Sequence, residues 1–256
     1  MPTIQNILET LTNFAPVDAK MDFDNVGLLV GDSRAGVTKI LVALDITSEV
    51  IDEAAELGAE LIVSHHPILF SAKSVTDGTI VGKKIMRLLN RRISAICMHT
   101  NLDAADGGVN DALAAAIGLQ NVTPIEPLPA YGRVGNLEKP LQMRDFLEKL
   151  KSSLRGNGLR FHNSGRPVSR VAVVGGSGGD YLQRAFDAGC DTLVTADVKY
   201  DVFLDARELG INVVDADHFR TENTVIPVLR SLLRAAYPTV LCEVSAKHGQ
   251  TARFFV

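Results

Sequence analysis

The second half of this 256-residue chain contains a stretch that repeats a pattern from the first half. Residues 42–66 align without gaps on residues 173–197, at a constant offset of 131. Both stretches contain a helix end, a glycine, an acidic residue, an apolar strand and a hydroxyl residue. The repeat predicts an α/β fold with an internal duplication, in which two similar α/β units face one another across a cleft. Chance similarity between two βαβ units is the alternative.

Helices and strands alternate along the chain. The predicted helices cover residues 2–14, 49–57, 83–91, 108–117 and 143–154, and the predicted strands cover 39–45, 61–63, 93–98, 171–174 and 211–215. Three prolines, Pro124, Pro127 and Pro129, mark a boundary. We therefore predict a first unit over residues 1–125 and a second over 126–256, with the C-terminal strand free to return to the first unit.

Composition excludes several classes of protein. The net charge of −4 gives no electrostatic footprint for nucleic acid or an anionic membrane. The chain contains no apolar run of membrane-spanning length, and its N-terminus lacks the pattern of a signal peptide. Three scattered cysteines without a CxxC motif fit buried thiols in a reducing compartment. We expect a cytoplasmic protein with a small-molecule or metal ligand as its partner.

Two adjacent histidines, His65 and His66, follow the predicted strand at 61–63. Pro67 ends the ladder of that strand because it lacks a backbone donor. Open α/β sheets bind their ligands at the C-terminal ends of strands, and neutral imidazole is a common ligand of transition metals. The alternative is that one histidine lies in the core and the other in a loop.

Three further segments place metal-capable side chains just beyond predicted strands. They contain His99 with Asp103 and Asp106, Asp197 with Lys199 and Tyr200, and His218 with Glu222. Imidazole and carboxylate donors without thiolate suit Zn, Mn, Fe, Co or Ni. Two histidines from one loop, an aspartate from a second and a His/Glu pair from a third are too many for one tetrahedral ion. They are about right for two divalent ions that share a bridging carboxylate.

Each of these residues also has an ordinary structural interpretation. Asp103 and Asp106 are typical turn and cap residues before a helix. His218 and Glu222 are four residues apart and would share one face of a helix. However, Pro227 and a threonine cap would also allow the helix to begin only after them.

Taken together, these segments resemble the Nif-three-like dinuclear metal centre family, also called GTP cyclohydrolase I type 2 homologues. The resemblance runs nearly from end to end. It is carried by Asp24-Asn-Val-Gly-Leu-Leu-Val-Gly31, Ser64-His-His-Pro67, His99-Thr-Asn-Leu-Asp103, Gly107-Gly-Val-Asn-Asp111, Gly175-Gly-Ser-Gly178, Asp197-Val-Lys-Tyr200, and Asp217-His218 with Thr221-Glu222.

The resemblance implies two metal ions between two α/β units of a subunit in a toroidal homohexamer. It implies that His65 and His218 bind one ion, that His66 and Asp103 bind the other, and that Glu222 bridges them. Two positions depart from the family pattern. Asp201 stands where many relatives have histidine, and Asp217 stands where a small residue is usual. Neither replaces an expected ligand, but both add negative charge.

Two metal ions in an open cleft favour a hydrolase that acts on a nucleotide-like or phosphorylated small molecule. In that interpretation His99 is a general acid or base or supports a ligand, and Lys199 and Tyr200 position an anionic substrate. The resemblance implies GTP cyclohydrolase-type chemistry, although the sequence has no Walker A motif. A metallochaperone or a metal-stabilised hexameric scaffold fits the same ligands.

One motif is typical of a different enzyme class. Gly175-Gly-Ser177-Gly-Gly179 follows a strand and matches the nucleophile elbow of α/β-hydrolases, with Asp215 and His248 in the right order for a triad. No oxyanion-hole motif accompanies it, so we interpret it as a turn that starts a helix. His162 and His248 have no partners in sequence and are predicted to lie on the surface.

Overall fold

A computed structural model describes residues 1–71, 74–126 and 131–255. The helices are α1 (Ile4–Phe14), α2 (Ser48–Leu57), α3 (Ile80–Asn90), α4 (Thr100–Ala104), α5 (Val109–Ile117), α6 (Met143–Ser153), α7 (Leu182–Asp187), α8 (Tyr200–Leu209), α9 (His218–Glu222) and α10 (Ile226–Ala236). The strands are β1 (Gly27–Val30), β2 (Lys39–Ala43), β3 (Leu61–Ser64), β4 (Ser94–Cys97), β5 (Gln120–Pro124), β6 (Arg133–Leu141), β7 (Arg160–His162), β8 (Val168–Ser177), β9 (Thr192–Ala196), β10 (Asn212–Asp215) and β11 (Leu241–Val244). Pro127, Pro129 and Val256, on which the predicted unit bounds partly rest, lie outside the described residues.

Local sequence signals explain where several helices begin and end. Thr3 and Asn6 form a capping box at the start of α1, in which the Thr3 side chain accepts the Asn6 backbone N–H. The Thr47 side chain caps α2 by accepting the Val50 backbone N–H, and Gly58 ends the helix in the left-handed conformation, with φ of 68°. Each predicted helix and strand has a counterpart here, with bounds shifted by a few residues.

The chain divides into two compact units. The first contains residues 1–106 and 226–249, and the second contains 107–225 and 250–256. This division differs from the predicted boundary after residue 125. The reason is that Leu113 and Ile117 of α5 pack into the same hydrophobic cluster as Phe146 and Val171, which belong to the second unit.

The sheet of the first unit has the strand order β1-β4-β3-β2-β11. Strands β2, β3, β4 and β11 run parallel, and β1 pairs with β4 in the antiparallel direction. The C-terminal strand β11 therefore lies beside β2. Because β3 and β4 are parallel neighbours, the residues that follow them emerge at the same edge of the sheet.

Helices cover this sheet and bury its strands. All four residues of β3 are buried, as parallel strands covered on both faces require. One hydrophobic cluster joins Ile51 of α2 and Leu88 of α3 to Leu41 and Ile62 of the sheet. A well-packed core of this kind fixes the ends of β3 and β4, where the candidate site begins.

The sheet of the second unit has the strand order β5-β6-β8-β9-β10-β7. Strands β8, β9 and β10 are parallel, whereas β5, β6 and β7 add antiparallel pairs. Two hydrophobic clusters pack on it, one containing Phe146 and Val171 and the other containing Ala172 and Leu193. The protein is thus a mixed α/β fold with two sheets. In the part of the chain described, no helix is long and apolar enough to cross a membrane.

Candidate metal centre

Three histidines of the first unit form a compact cluster. His65 and His66 follow β3, and His99 follows β4. The ring centroids are 5.0 Å apart for His65 and His66, 5.2 Å for His65 and His99, and 5.6 Å for His66 and His99. Each ring offers one nitrogen within 4.8 Å of the others, so the group could hold a metal ion. His99, predicted as a catalytic residue, therefore lies among the candidate ligands.

An oxygen acceptor holds the Nδ1 atom of each ring in this cluster. The acceptors are Met98 O at 2.9 Å from His65, Asp45 Oδ1 at 2.7 Å from His66, and Asp24 Oδ1 at 2.8 Å from His99. A carbonyl or carboxylate oxygen can only accept, so Nδ1 carries the proton and donates. Nε2 is then the nitrogen with an available lone pair. Metal-binding histidines in proteins are oriented in this manner.

Asp103 lies on the short helix α4, close to His65. Its Oδ1 atom is 3.7 Å from His65 Nε2, and the His65 side chain is fully buried. Asp103 is not the cap of the following helix, because the N-cap of α5 is Gly108 and no side chain caps it. The family resemblance implied that Asp103 shares an ion with His66. In the structure Asp103 lies against His65, and the division of the ligands between the two ions stays a prediction.

Asp24 supports His99 from a loop that precedes β1. Burial raises the pKa of this carboxyl, but hydrogen bonds from His99 and Thr100 outweigh burial and hold the pKa well below its usual range. The thiol of Cys97 is also nearby and donates to His65 O at 2.9 Å. Burial raises the pKa of this thiol, so in the metal-free protein Cys97 is neutral. All three cysteines are free and buried.

The second unit brings His218 and Glu222 together on helix α9. His218 Nε2 is 3.1 Å from Glu222 Oε2, and Glu222 is only 4% exposed. The short helix α9 begins at His218, so the two side chains share one helix, and the longer helix α10, with Pro227 in its first turn, begins only after them. Asp217 is the N-cap of α9 and accepts the Arg220 N–H at 3.0 Å.

His218 has the same kind of support as the histidines of the first unit. Its Nδ1 lies 2.6 Å from Asp197 Oδ2, at the end of the neighbouring strand β9. Burial lowers the pKa of His218, but the hydrogen bonds and charges of Glu222 and Asp197 outweigh burial and raise it to about 9. In the metal-free protein this imidazole is therefore positively charged between two carboxylates.

The glycine-rich end of β8 lies against this pair. Gly176 has φ of +64°, and a Cβ atom there would lie 2.1 Å from Glu222 Oε1. The Gly176 N–H donates to Thr221 Oγ1 at 3.0 Å. Its glycine is thus required by the close approach of Glu222. The Gly175–Gly179 motif matches a nucleophile elbow in sequence. In the structure, the missing side chain of Gly176 leaves the space that the Glu222 carboxylate occupies.

The other members of that elbow motif are also engaged elsewhere. Ser177 is exposed. Asp215 forms an ion pair with Arg160 and accepts the Val198 N–H at 3.1 Å. The ring of His248 is half-buried and accepts the Leu44 N–H at 3.2 Å, so the prediction of a surface histidine without partners is wrong.

The two departures from the family pattern have different environments. Asp217 has φ of 77° and ψ of 130°, a conformation that favours glycine, and its side chain also bonds Gln250. Its charge is therefore engaged as a cap. Asp201 lies exposed in the first turn of α8. Lys199 and Tyr200 stand at the start of the same helix, and Tyr200 is 77% exposed.

The fold and the donor set define an α/β protein whose imidazole and carboxylate groups could hold divalent metal ions. The chain belongs to the DUF34/NIF3 (NGG1p interacting factor 3) family, which it matches over residues 2–250. The resemblance seen in the sequence is thereby confirmed.

Relatives with this architecture are found in diverse microorganisms. The chain is 39% identical over 230 residues to a Clostridium perfringens protein named GTP cyclohydrolase 1 type 2 homolog. The alignment covers 87% of this chain and 88% of that protein. A Streptomyces coelicolor protein of the same name is 34% identical over 268 residues, covering 100% and 91%. Among solved structures, a Bacillus cereus protein related to NIF3 superimposes with a TM-score of 0.93 at 25% identity, covering 100% and 99%. HcgD from Methanocaldococcus jannaschii superimposes with a TM-score of 0.82 at 29% identity, covering 95% and 97%.

Proposed function

We propose that this protein binds two divalent metal ions and uses them to hydrolyse a nucleotide-like or phosphorylated small molecule. The observation that carries the proposal is the common orientation of four histidines. The Nδ1 atoms of His65, His66, His99 and His218 all donate to carbonyl or carboxylate oxygens. A histidine that served only packing would not need its second nitrogen directed in this way.

In this proposal the two units face one another and contribute unequal halves of one centre. His65, His66 and Asp103 come from the first unit, and His218 and Glu222 come from the second. The buried carboxylate of Glu222 would help to hold both ions. The units would descend from an internal duplication, in which Ala196 and Asp197 replace the histidine pair of the first copy.

Bound divalent ions would supply Lewis acidity, which activates water near neutral pH and polarises a phosphoryl or ring-carbon electrophile. The chain's own residues orient the reaction. Asp24 holds His99 so that its Nε2 atom is directed away from the carboxylate, where it can accept or return a proton. Lys199 and Tyr200, at the exposed start of α8, are proposed to attract an anionic substrate. We propose that the protein works in the cytoplasm as a homohexamer.

Metal analysis combined with turnover assays tests this function. Protein loaded with Zn, Mn or Fe is assayed on nucleotides and generic phosphodiesters, and the metal content is measured on the same samples. We expect two ions per chain, and loss of both metal and turnover in His66→Ala and Glu222→Ala. His162→Ala, in which a histidine of β7 is removed, is the matched control and should keep both. Absence of turnover with every metal, together with tight and exchangeable binding, would instead favour a metallochaperone.

A further inference from the structure

Two large aromatic side chains lie exposed beside the histidine cluster of the first unit. Phe23 is 66% exposed and Phe70 is 53% exposed. Their ring centroids are 6.3 Å apart with an interplanar angle of 46°. Phe70 also contacts His99 edge to face, with 5.8 Å between the ring centroids. The two rings form a wall that starts at the candidate metal centre and extends toward solvent.

Hydrogen bonds hold the loops that carry this wall. The Asn25 side chain donates to Leu69 O at 3.0 Å, which joins the residue two positions after Phe23 to the residue just before Phe70. Next to Phe23, Asp24 accepts hydrogen bonds from His99 and Thr100. The rings are therefore positioned before a ligand arrives, which lowers the entropy cost of binding.

The chemistry of the wall favours one kind of occupant. Two exposed phenylalanine rings offer far less area than the roughly 800 Å² per partner of a stable protein interface. Aromatic faces also bind cations, but the proposed metal ions beside His99 would repel a cationic ligand. A planar ring can stack on one phenylalanine and contact the edge of the other, as aromatic pairs prefer.

We propose that Phe23 and Phe70 form a ring-binding wall that selects ligands carrying a planar aromatic or heteroaromatic ring. The inference rests on the proposed metal-dependent function, because the wall adjoins His99. It narrows the ligand class, since a phosphorylated sugar without a ring system would gain nothing from the wall. Stacking tolerates different bases, so purine and pyrimidine rings should both benefit.

Calorimetric titration of the zinc-loaded chain with AMP, UMP and ribose 5-phosphate tests the wall. The three ligands share the sugar phosphate and differ in the ring. We expect AMP and UMP to bind about tenfold or more tightly than ribose 5-phosphate, the range of one stacked base. The double variant Phe23→Leu with Phe70→Leu should lose this preference, because leucine keeps the apolar volume but not the ring face. The single variants should each lose part of it.

Phe161→Leu is the matched control, because Phe161 is 49% exposed on β7 of the second unit. It should leave all three affinities unchanged. Three results would each refute the proposed ring-binding wall. They are equal affinities of the wild type for the three ligands, binding of none of them, and a ring preference that survives in the double variant. The zinc content of the same samples tests the proposed metal-dependent function separately. A chain that binds no zinc would refute that function, whereas the ratio of the affinities for AMP and ribose 5-phosphate would still test the ring-binding wall.

Discussion

Substitution of Gly176 by alanine should damage the candidate centre through two separable effects. The first is backbone strain, because φ of +64° in the left-handed region costs an alanine about 1–2 kcal/mol. The second is a clash, because the new Cβ atom would lie 2.1 Å from Glu222 Oε1 and 3.2 Å from His218 Cε1. Overpacking of this kind typically costs about 1–3 kcal/mol and displaces the carboxylate.

Gly210→Ala is the control that isolates the backbone effect. Gly210 ends helix α8 with φ of +66°, and nothing lies within 4 Å of its added Cβ atom. Both variants are compared with the wild type by chemical denaturation in the presence of a chelator, and their zinc content is then measured after loading. We expect Gly210→Ala to lose only about 1–2 kcal/mol and to keep its zinc.

For Gly176→Ala we expect an additional loss of about 1–3 kcal/mol in the free energy of unfolding and fewer bound ions per chain. The displaced Glu222 carboxylate is proposed to help hold both ions, so both ions should be affected. If the two variants lose equal stability and bind equal zinc, the close packing of the glycine-rich end of β8 on Glu222 has no role in the site, and this reasoning is refuted.

Two further substitutions test the groups around the first-unit cluster. Asp24→Asn weakens the hydrogen bond that orients His99. Turnover should therefore fall about 10–100-fold while the zinc content stays unchanged. A lower zinc content would instead show that His99 is a metal ligand. His248→Gln tests pH dependence. Burial lowers the pKa of His248, and its ring must stay neutral to accept the Leu44 N–H. The wild type should therefore lose stability as the pH falls below the ordinary histidine pKa of about 6.5, and the variant should lose less between pH 7.5 and 5.5 in denaturation experiments. Equal losses would count against a buried neutral imidazole.

The parallel strands could be predicted from sequence because their signals are local. Strands such as β3 are short apolar runs between a glycine and a proline, and Thr47 and Gly58 bound the preceding helix. The antiparallel strand β6 was not predicted. Its second half is exposed and contains Pro140, so only its pairing with β8 makes it a strand.

The grouping of His65, His66 and His99 could be predicted because neighbouring parallel strands end at one edge of a sheet. That rule places His65 beside His99 without any knowledge of packing. It does not identify Asp45 or Asp24 as supports, because these acceptors are defined only by which nitrogen they face in three dimensions. Asp45 does follow β2, the neighbour of β3, and this position is the signal that could have indicated it.

The division of the ligands between two ions is not encoded in the strand pattern. His65 and His66 lie beyond the last residue of β3, where strand alternation no longer fixes the direction of a side chain, and their ring centroids are 5.0 Å apart. The 3.7 Å approach of Asp103 to His65 likewise follows from the position of α4 and not from a local sequence signal.

An anomalous difference map from a crystal soaked in zinc tests the central claim most directly. We predict two peaks per chain, both bonded to Glu222, with His65, His66, Asp103 and His218 supplying the other protein ligands. A map with no peak at these side chains, or with a single ion that leaves Glu222 uncoordinated, would contradict the dinuclear centre.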